Sequence, residues 1–367
     1  MLALIGFLLL VLLVVMTVFI PHPSGVAVAQ SDSVRTDTPM PTASPEASQI
    51  LRVNVLDDSS DGVCDQNHCS LRDAITVANQ LPFGNIYISL SEGTIIFDEP
   101  DNNGSVESGA ANALPIIQNN VEIWGRSSVL EIDENAHPMR FFETNARLKL
   151  WSVTLKNGNA GTGNGGAIYS NAELIGLQAG FENNSASNGG AIYHTTADHV
   201  AFDQSSFLNN TATTAGGAIA RPVGAQVFNR LALLNSDFTG NVAGIRGGAV
   251  YSNGNIDVSG SRFVGNVAEA GIEGEGHVYY TDAAGSGVSQ TIYNNCITAN
   301  GAEARPHAPY ALYSNDGVIE ASYNWWGGTD DTYIVPFSFN ASLEPILIDP
   351  VADCPNIRIP FALLKTR

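Results

Sequence analysis

The sequence predicts an all-β protein, a right-handed single-stranded parallel β-helix (solenoid) with a short N-terminal capping helix. Two short phrases alternate along the chain, GGA followed by an aliphatic residue, and FxxNxA. The intervals between successive copies vary while the phrases do not, which is typical of stacked coils whose loops differ in length. We expect the β-helix to cover residues 86–345.

The composition is that of a protein with a large packed core. The 367 residues are 44% hydrophobic and 14% charged, against a usual charged fraction of roughly 25%. The net charge is -20, and so acidic a chain offers no basic patch to a phosphate backbone. We therefore expect no binding to nucleic acid or to an anionic membrane surface, and no cofactor is indicated.

Residues 1–29 are predicted to be a signal peptide or an uncleaved membrane anchor. No charged side chain occurs from Met1 to Ile20, and Ala27-Val28-Ala29 fits a cleavage site before Gln30. The missing Lys or Arg at the start and an apolar run near bilayer length keep the anchor open as an alternative. Either reading places the rest of the chain outside the cytoplasm, secreted or at the cell surface, after a Ser-, Thr- and Pro-rich linker at residues 30–49.

Residues 50–85 are predicted to cap the first coil. Within them, SLRDAITVANQ has the pattern of an amphipathic helix in which Ser70 and Asp73 form a capping box. Leu71, Ile75 and Ala78 fall on one face and should be buried against the coil. The stretch around CSLRDA resembles the CSLREA domain, which typically sits at the amino end of exported bacterial β-helix proteins.

The four cysteines of an exported chain indicate two disulfides. Cys64 and Cys69 are expected to close a small loop, which leaves Cys296 and Cys354 for each other. A zinc site at Cys64, His68 and Cys69 is the alternative, but it lacks a fourth ligand at family spacing.

The acidic run before these cysteines resembles the start of a calcium loop, with Asp57, Asp61 and Gly62 at matching positions. Position twelve would be His68 and not Glu, so we expect a polar turn and predict no metal site.

Alignment of the repeats within the chain gives columns of equivalent residues. Because successive strand residues point to opposite sides, an aliphatic column from Ile168 to Leu312, including Val278, should face the bore, and the next column should face out. The outward column contains the candidate ligand-binding residues, which are Tyr169, Tyr193, Tyr251, Tyr279 and Tyr313. The alanine column, in which His277 is aligned, is expected to share the outer side.

The second phrase supplies two further columns. Stacked phenylalanines are expected to fill the bore, and stacked asparagines to pass amide hydrogen bonds from coil to coil. The residues are Phe181, Phe207, Phe238 and Phe263, with Ile297 in the last coil, and Asn184, Asn210, Asn241, Asn266 and Asn300.

Both phrases resemble those of chlamydial polymorphic outer-membrane proteins and of other bacterial β-helix surface proteins, over roughly Leu148 to Ala302. This resemblance implies a role in adhesion. YNWWGG resembles the phrase that often closes such helices, so Trp325 and Trp326 are expected to seal the last coil, with sugar binding as the alternative. Residues 346–367 form a C-terminal tail.

The predicted function is an exported, non-enzymatic β-helix that presents an extended face to a glycan or protein ligand. The alternative is a polysaccharide lyase or glycoside hydrolase of the pectate-lyase-like β-helix type, which needs converging carboxylates. The column before the phenylalanines pairs Asp237 with Arg262, a surface ion pair, and no column has two acids. His194 and His199 could act as an acid and base, but we expect plain surface residues.

Overall fold

The computed structural model describes residues 49–82, 84–224, 230–269, 276–282, 288–298, 300, 311–315, 317–326, 338–339 and 341–342. The predicted signal peptide or anchor, almost all of the linker and the tail with Cys354 lie outside these residues. Among the residues described, the chain has no helix that is both long and apolar enough to cross a bilayer.

The predicted parallel β-helix is confirmed, with about seven turns and very little helix. Each strand pairs in parallel with the equivalent strand one coil away, so that Phe181 lies beside Phe207 and Phe207 beside Phe238. Stacked strands therefore bring equivalent residues of the repeats into contact.

Four sheets are built from the described strands. The largest contains β1 (Gln49–Arg52), β2 (Ile86–Ser89), β3 (Thr94–Phe97), β5 (Val121–Ile132), β8 (Leu148–Lys156), β10 (Leu174–Leu177), β11 (Gly180–Glu182), β14 (Val200–Asp203), β15 (Ser206–Leu208), β18 (Arg230–Leu234), β19 (Asp237–Thr239), β22 (Asn255–Ser259), β23 (Arg262–Val264), β26 (Gln290–Tyr293), β27 (Cys296–Thr298), β29 (Ile319–Glu320) and β31 (Ala341–Ser342). The second contains β7 (Phe142–Thr144), β9 (Ile168–Ser170), β13 (Ile192–His194), β17 (Ile219–Arg221), β21 (Val250–Ser252), β25 (Tyr279–Thr281), β28 (Leu312–Ser314) and β30 (Ser338–Phe339). The two smaller sheets contain β12 (Ser185–Asn188), β16 (Thr211–Ala215), β20 (Val242–Ala243) and β24 (Val267–Ala268), and β4 (Ala111–Asn112) with β6 (Met139–Arg140).

The helix α1 (Leu71–Gln80) covers the first coil as predicted. Ser70 and Asp73 form the expected capping box. Leu71, Ile75 and Ala78 are fully buried in the core, and the helix packs on β1 and β2. The helix thus shields apolar residues that an open end of the β-helix would expose to water.

The phenylalanine and asparagine columns form the predicted ladders inside the β-helix. Neighbouring Phe rings stack with centroids 4.6 to 4.8 Å apart. Each Asn amide donates to the side-chain oxygen of the next Asn at 2.9 to 3.0 Å, from Asn184 through to Asn300. A second ladder that the sequence did not reveal runs through Ser205, Ser236, Ser261, Asn295 and Asn324.

The glycine pair of the first phrase is required by a tight corner. The first glycine has a left-handed backbone, with φ of 66° at Gly216. The second has no room for a side chain, since a Cβ at Gly217 would lie 2.0 Å from the carbonyl oxygen of Gly248 in the next coil. The two glycines therefore meet different needs, one of backbone conformation and one of space.

The predicted alignment is wrong by one residue in the coil that contains GHVYY. Tyr279 pairs with Val250 and with Leu312, so it lies in the aliphatic column and is buried in the bore. Tyr280 takes the outward position beside Tyr251. His277 consequently occupies the second glycine position and Val278 the alanine position.

The alanine column does not share the outer side. Ala167, Ala191, Ala218 and Ala249 are fully buried members of the core. The strands of this sheet begin one residue later, as β9 does at Ile168, so the alternation of side chains along an extended strand does not apply to the alanines.

The cysteines and the two tryptophans near the ends of the β-helix were also assigned roles from the sequence. Cys64 and Cys69 form a disulfide. Cys296 is also disulfide-bonded, while its predicted partner Cys354 lies outside the described residues, so that pairing stays a prediction. Trp325 and Trp326 are buried, and Trp325 forms a bridge with Cys296 of β27. Because β30 and β31 continue the sheets beyond them, the sealing of the last coil by these residues stays a prediction.

Candidate ligand-binding face

The tyrosine column forms a ladder of rings beside the bore. Tyr169 stacks on Tyr193 with centroids 5.7 Å apart, and Tyr280 on Tyr313 at 5.3 Å. Tyr251 and Tyr280 are tilted, at 6.0 Å. The ladder thus contains four of the five predicted tyrosines, with Tyr280 in place of Tyr279.

The faces of these rings are largely taken by neighbours. Tyr169 is buried, with the guanidinium of Arg140 5.3 Å from its centroid. Tyr280 is buried between Tyr313 and the guanidinium of Arg246. A sugar ring cannot stack on a face that is already occupied, so the ladder offers a ligand mainly ring edges and hydroxyl groups.

A charged cluster lies against the ladder. Arg246 and Asp282 form an ion pair at 2.8 Å, and the carboxylate of Asp282 accepts hydrogen bonds from the hydroxyls of Tyr251 and Tyr280. Burial, followed by this hydrogen bond to Asp282, raises the pKa of Tyr280 to about 12. The hydroxyl of Tyr280 therefore remains a hydrogen-bond donor at neutral pH.

Two exposed tryptophans lie side by side on the outer face of the largest sheet. Trp124 and Trp151 are register partners on neighbouring strands, and 41% and 38% of their surfaces are exposed. Glu122 accepts a hydrogen bond from the indole N–H of Trp124 at 2.7 Å, and the ring of Tyr87 packs edge-on against it. This pair is an aromatic platform open to solvent.

The sequence interpretation missed the tryptophan pair. The signal that could have revealed it is the repeated pattern VEIW at 121–124 and LKLW at 148–151, one coil apart. In both segments the first and third residues are aliphatic and the second and fourth are a charged residue and Trp. This alternation is expected of a strand with one face in the core and the other in solvent.

A polar pocket of about 520 Å³ opens on the same sheet, several coils away. Arg230 and Asp257 form an ion pair at 3.1 Å within it. The second carboxylate oxygen of Asp257 has no hydrogen-bond partner among the described residues, and the ring of Tyr293 is 38% exposed. The pocket thus combines a hydrogen-bond acceptor, a cation and an aromatic ring.

One outward column connects the platform to the pocket. Its members are Trp124, Trp151, Leu177, Asp203, Leu234, Ser259 and Tyr293. With neighbouring strands about 4.8 Å apart, the column is about 30 Å long. We call the surface along this column the outer face.

The two histidines considered as an acid and base do not share an environment. His194 is fully buried beside Arg221, whereas His199 lies partly exposed at the polar pocket. Burial, and then the charge of Arg221, lower the pKa of His194 to about 4. The expectation of a plain surface residue was therefore wrong for His194, which is a neutral group of the interior.

Asp237 and Arg262 form the predicted ion pair, at 2.9 Å, but the expectation of a surface pair is wrong for Asp237. The Asp237 side chain is nearly buried while Arg262 is 40% exposed. The carboxylate of Asp237 is therefore paired with an arginine of the next coil.

Comparison with known proteins finds one family. Residues 181–195 and 204–220 match the Chlamydia polymorphic membrane protein (Chlamydia_PMP) repeat. Neither a curated protein nor a solved structure matches the chain. The matched segments contain both repeated phrases, and together with the β-solenoid they fit a β-helix protein like the polymorphic outer-membrane proteins.

Proposed function

We propose that this protein is an exported, non-enzymatic surface protein whose outer face binds an extracellular glycan or protein ligand in adhesion. The repeat match and the β-solenoid support a surface location. The CSLREA-like cap and the apolar segment before Gln30 support export, and contact with a membrane would occur only through that segment if it is not cleaved.

The observation that carries the proposal is the pair Trp124 and Trp151. Large aromatic side chains are usually buried, and two that stand together on a rigid sheet form a platform suited to sugar rings or apolar protein groups. Because they lie on stacked strands, their positions are fixed before a ligand arrives, which reduces the entropic cost of binding.

The tyrosine ladder has a smaller role in this proposal. Tyr251 and Tyr280 contribute hydroxyl groups next to Asp282, while ring stacking within the ladder stabilises neighbouring strands. Replacing both tyrosines by Phe keeps the rings and removes the hydroxyls. If the ladder contacts the ligand, this variant weakens binding, and its Tm falls somewhat because Asp282 loses two hydrogen bonds.

The experiment that tests the proposal is binding of the protein to a glycan array, to immobilised matrix proteins and to cultured cells. The variant W124S/W151S should lose binding by at least about tenfold, because aromatic residues commonly dominate binding energies. Because 41% and 38% of the two Trp surfaces are exposed, the variant also loses some packing, and its circular dichroism must match that of the wild type before a loss of binding is counted.

The matched control is Tyr323→Ser, which removes another exposed aromatic residue near the last described coil, 51% exposed. The proposal is wrong if the wild-type protein binds none of the three panels. It is also wrong if W124S/W151S and the control bind as well as the wild type.

A further inference from the structure

Three side chains converge in the loop that the Cys64–Cys69 disulfide closes. The Nδ1 atom of His68 lies 3.2 Å from Oδ2 of Asp73 and 3.6 Å from Oδ1 of Asp61. These three atoms all lie within 4.8 Å of one another. The place is the start of α1, remote in sequence from the outer face.

The hydrogen bonds around His68 determine which ring nitrogen carries the proton. Ser59 donates its hydroxyl hydrogen to Asp57, so its oxygen is available as an acceptor for Nε2 of His68, 2.9 Å away. In the neutral ring this leaves Nδ1 with a lone pair. Nδ1 is buried and makes a hydrogen bond to none of the described residues.

The carboxylate of Asp73 is held in place by hydrogen bonds. It is fully buried and accepts them from Ser60, Gly62 and Ser70. Ser60, Asp61 and Gly62 donate to Oδ1. Ser70 donates its hydroxyl to Oδ2 at 2.8 Å and its backbone N–H at 3.3 Å. Oδ2 is the oxygen that faces Nδ1 of His68, and a cation there would take the place of the long bond from the backbone N–H.

Nδ1 of His68 faces two carboxylate oxygens, so a positive charge is required there, either a proton that makes the ring an imidazolium or a metal ion. In a tetrahedral zinc site with bonds of about 2.1 Å, neighbouring ligand atoms are about 3.4 Å apart, close to the separations found around His68. Hydrogen bonds that orient the ligands from outside, such as Ser59 to His68 and Ser60 to Asp73, are typical of metal sites.

We propose that Asp61, His68 and Asp73 bind a zinc ion, with a fourth position open to solvent. The alternative zinc site predicted from Cys64, His68 and Cys69 is ruled out in this form, because both sulfur atoms are in the disulfide. The ion ties the acidic loop to the first turn of α1 and so stabilises the cap on the first coil.

The test uses the full chain after treatment with a chelator. Equilibrium dialysis against zinc should give one ion per chain, and zinc should raise the Tm. Cobalt(II) in place of zinc should give the visible absorption bands of a tetrahedral site. Asp61→Asn and His68→Gln should each weaken zinc binding by at least about tenfold, while His137→Gln, an exposed histidine elsewhere, should not.

Circular dichroism and mass mapping of the Cys64–Cys69 bond verify that each variant is folded. Where a variant does not fold, the nitrogen-15 chemical shifts of His68 in the wild-type protein decide, since Nδ1 should respond to zinc. The proposal is overturned if no zinc binds. It is equally overturned if zinc binds as well to both variants, or if both nitrogens of His68 carry protons in its presence.

Discussion

Substitution of Asn210 by Ala should destabilise the β-helix more than any loss of one exposed hydrogen bond. Asn210 is fully buried in the middle of the asparagine ladder. Its side chain accepts from the backbone N–H and the amide of Asn184 at 3.0 and 2.9 Å. It donates to the carbonyl of Phe181 at 3.0 Å and to Asn241 at 2.9 Å.

The magnitude follows from the groups left behind. The amide of Asn184 keeps its bond to the Leu155 carbonyl, and the oxygen of Asn241 still accepts from the backbone N–H of Asn210. The backbone N–H of Asn184 and the carbonyl of Phe181 lose the bonds that Asn210 made. With about 1 to 3 kcal/mol for each of these two buried groups, we expect a loss of about 2 to 6 kcal/mol.

Urea unfolding followed by circular dichroism measures this loss, with a lower midpoint at a similar m-value. The matched control is Asn171→Ala, which removes an exposed amide bond to Asn145 of the preceding coil, 2.9 Å long, and a bond from the hydroxyl of Thr195. The control should cost less than about 1 kcal/mol. Equal losses for the two variants would refute the claim that burial makes the ladder important.

Three other predictions concern the interior and the tail. The pKa of His194 is about 4 in the folded protein and about 6.5 in the unfolded chain. The free energy of unfolding is therefore at its full value above pH 6.5 and falls by about 3 kcal/mol as the pH is lowered to 4. His194→Ser, which places there the residue found at Ser170 in the neighbouring coil, should reduce this dependence in urea unfolding at several pH values. Gly217→Ala should cost about 3 kcal/mol or prevent folding, because its Cβ meets only backbone atoms. Gly84→Ala, with its nearest neighbour at 3.9 Å, should unfold like the wild type. Mass mapping without reduction should join Cys296 to Cys354, and reduction should make the tail protease-sensitive; a bond from Cys296 to Cys64 would contradict both expectations.

The repeated phrases predict the interior well, because a residue that stacks on its own copies must be of the same type in each coil. Phe207 and Asn210 were placed correctly for this reason. The coil at 276–280 shows the limit of that reasoning. With His277 in a glycine position, GHVYY can be aligned in two ways, and only the strand pairing of Tyr279 with Val250 decides between them.

The outer face was harder to predict from the sequence. Trp124 and Trp151 lie outside both repeated phrases, so they fall outside the aligned columns on which the site prediction depended. An outward residue can also differ in type from coil to coil, because its side chain is in contact with solvent and does not have to pack on an equivalent residue in the core. The ladder of tyrosines attracted attention because it repeats, and its repetition reflects packing between strands.

The coil-to-coil bonding also determines how such a chain can change in length. The coils joined by the asparagine ladder each offer the same donor to one neighbour and the same acceptor to the other, as Asn210 does between Asn184 and Asn241. Removal of one complete coil would bring equivalent partners together again, whereas removal of half a coil would leave both ladders broken. Evolution can therefore shorten or lengthen the outer face in whole steps of one strand spacing, and adjust its reach towards a ligand without redesigning the interior.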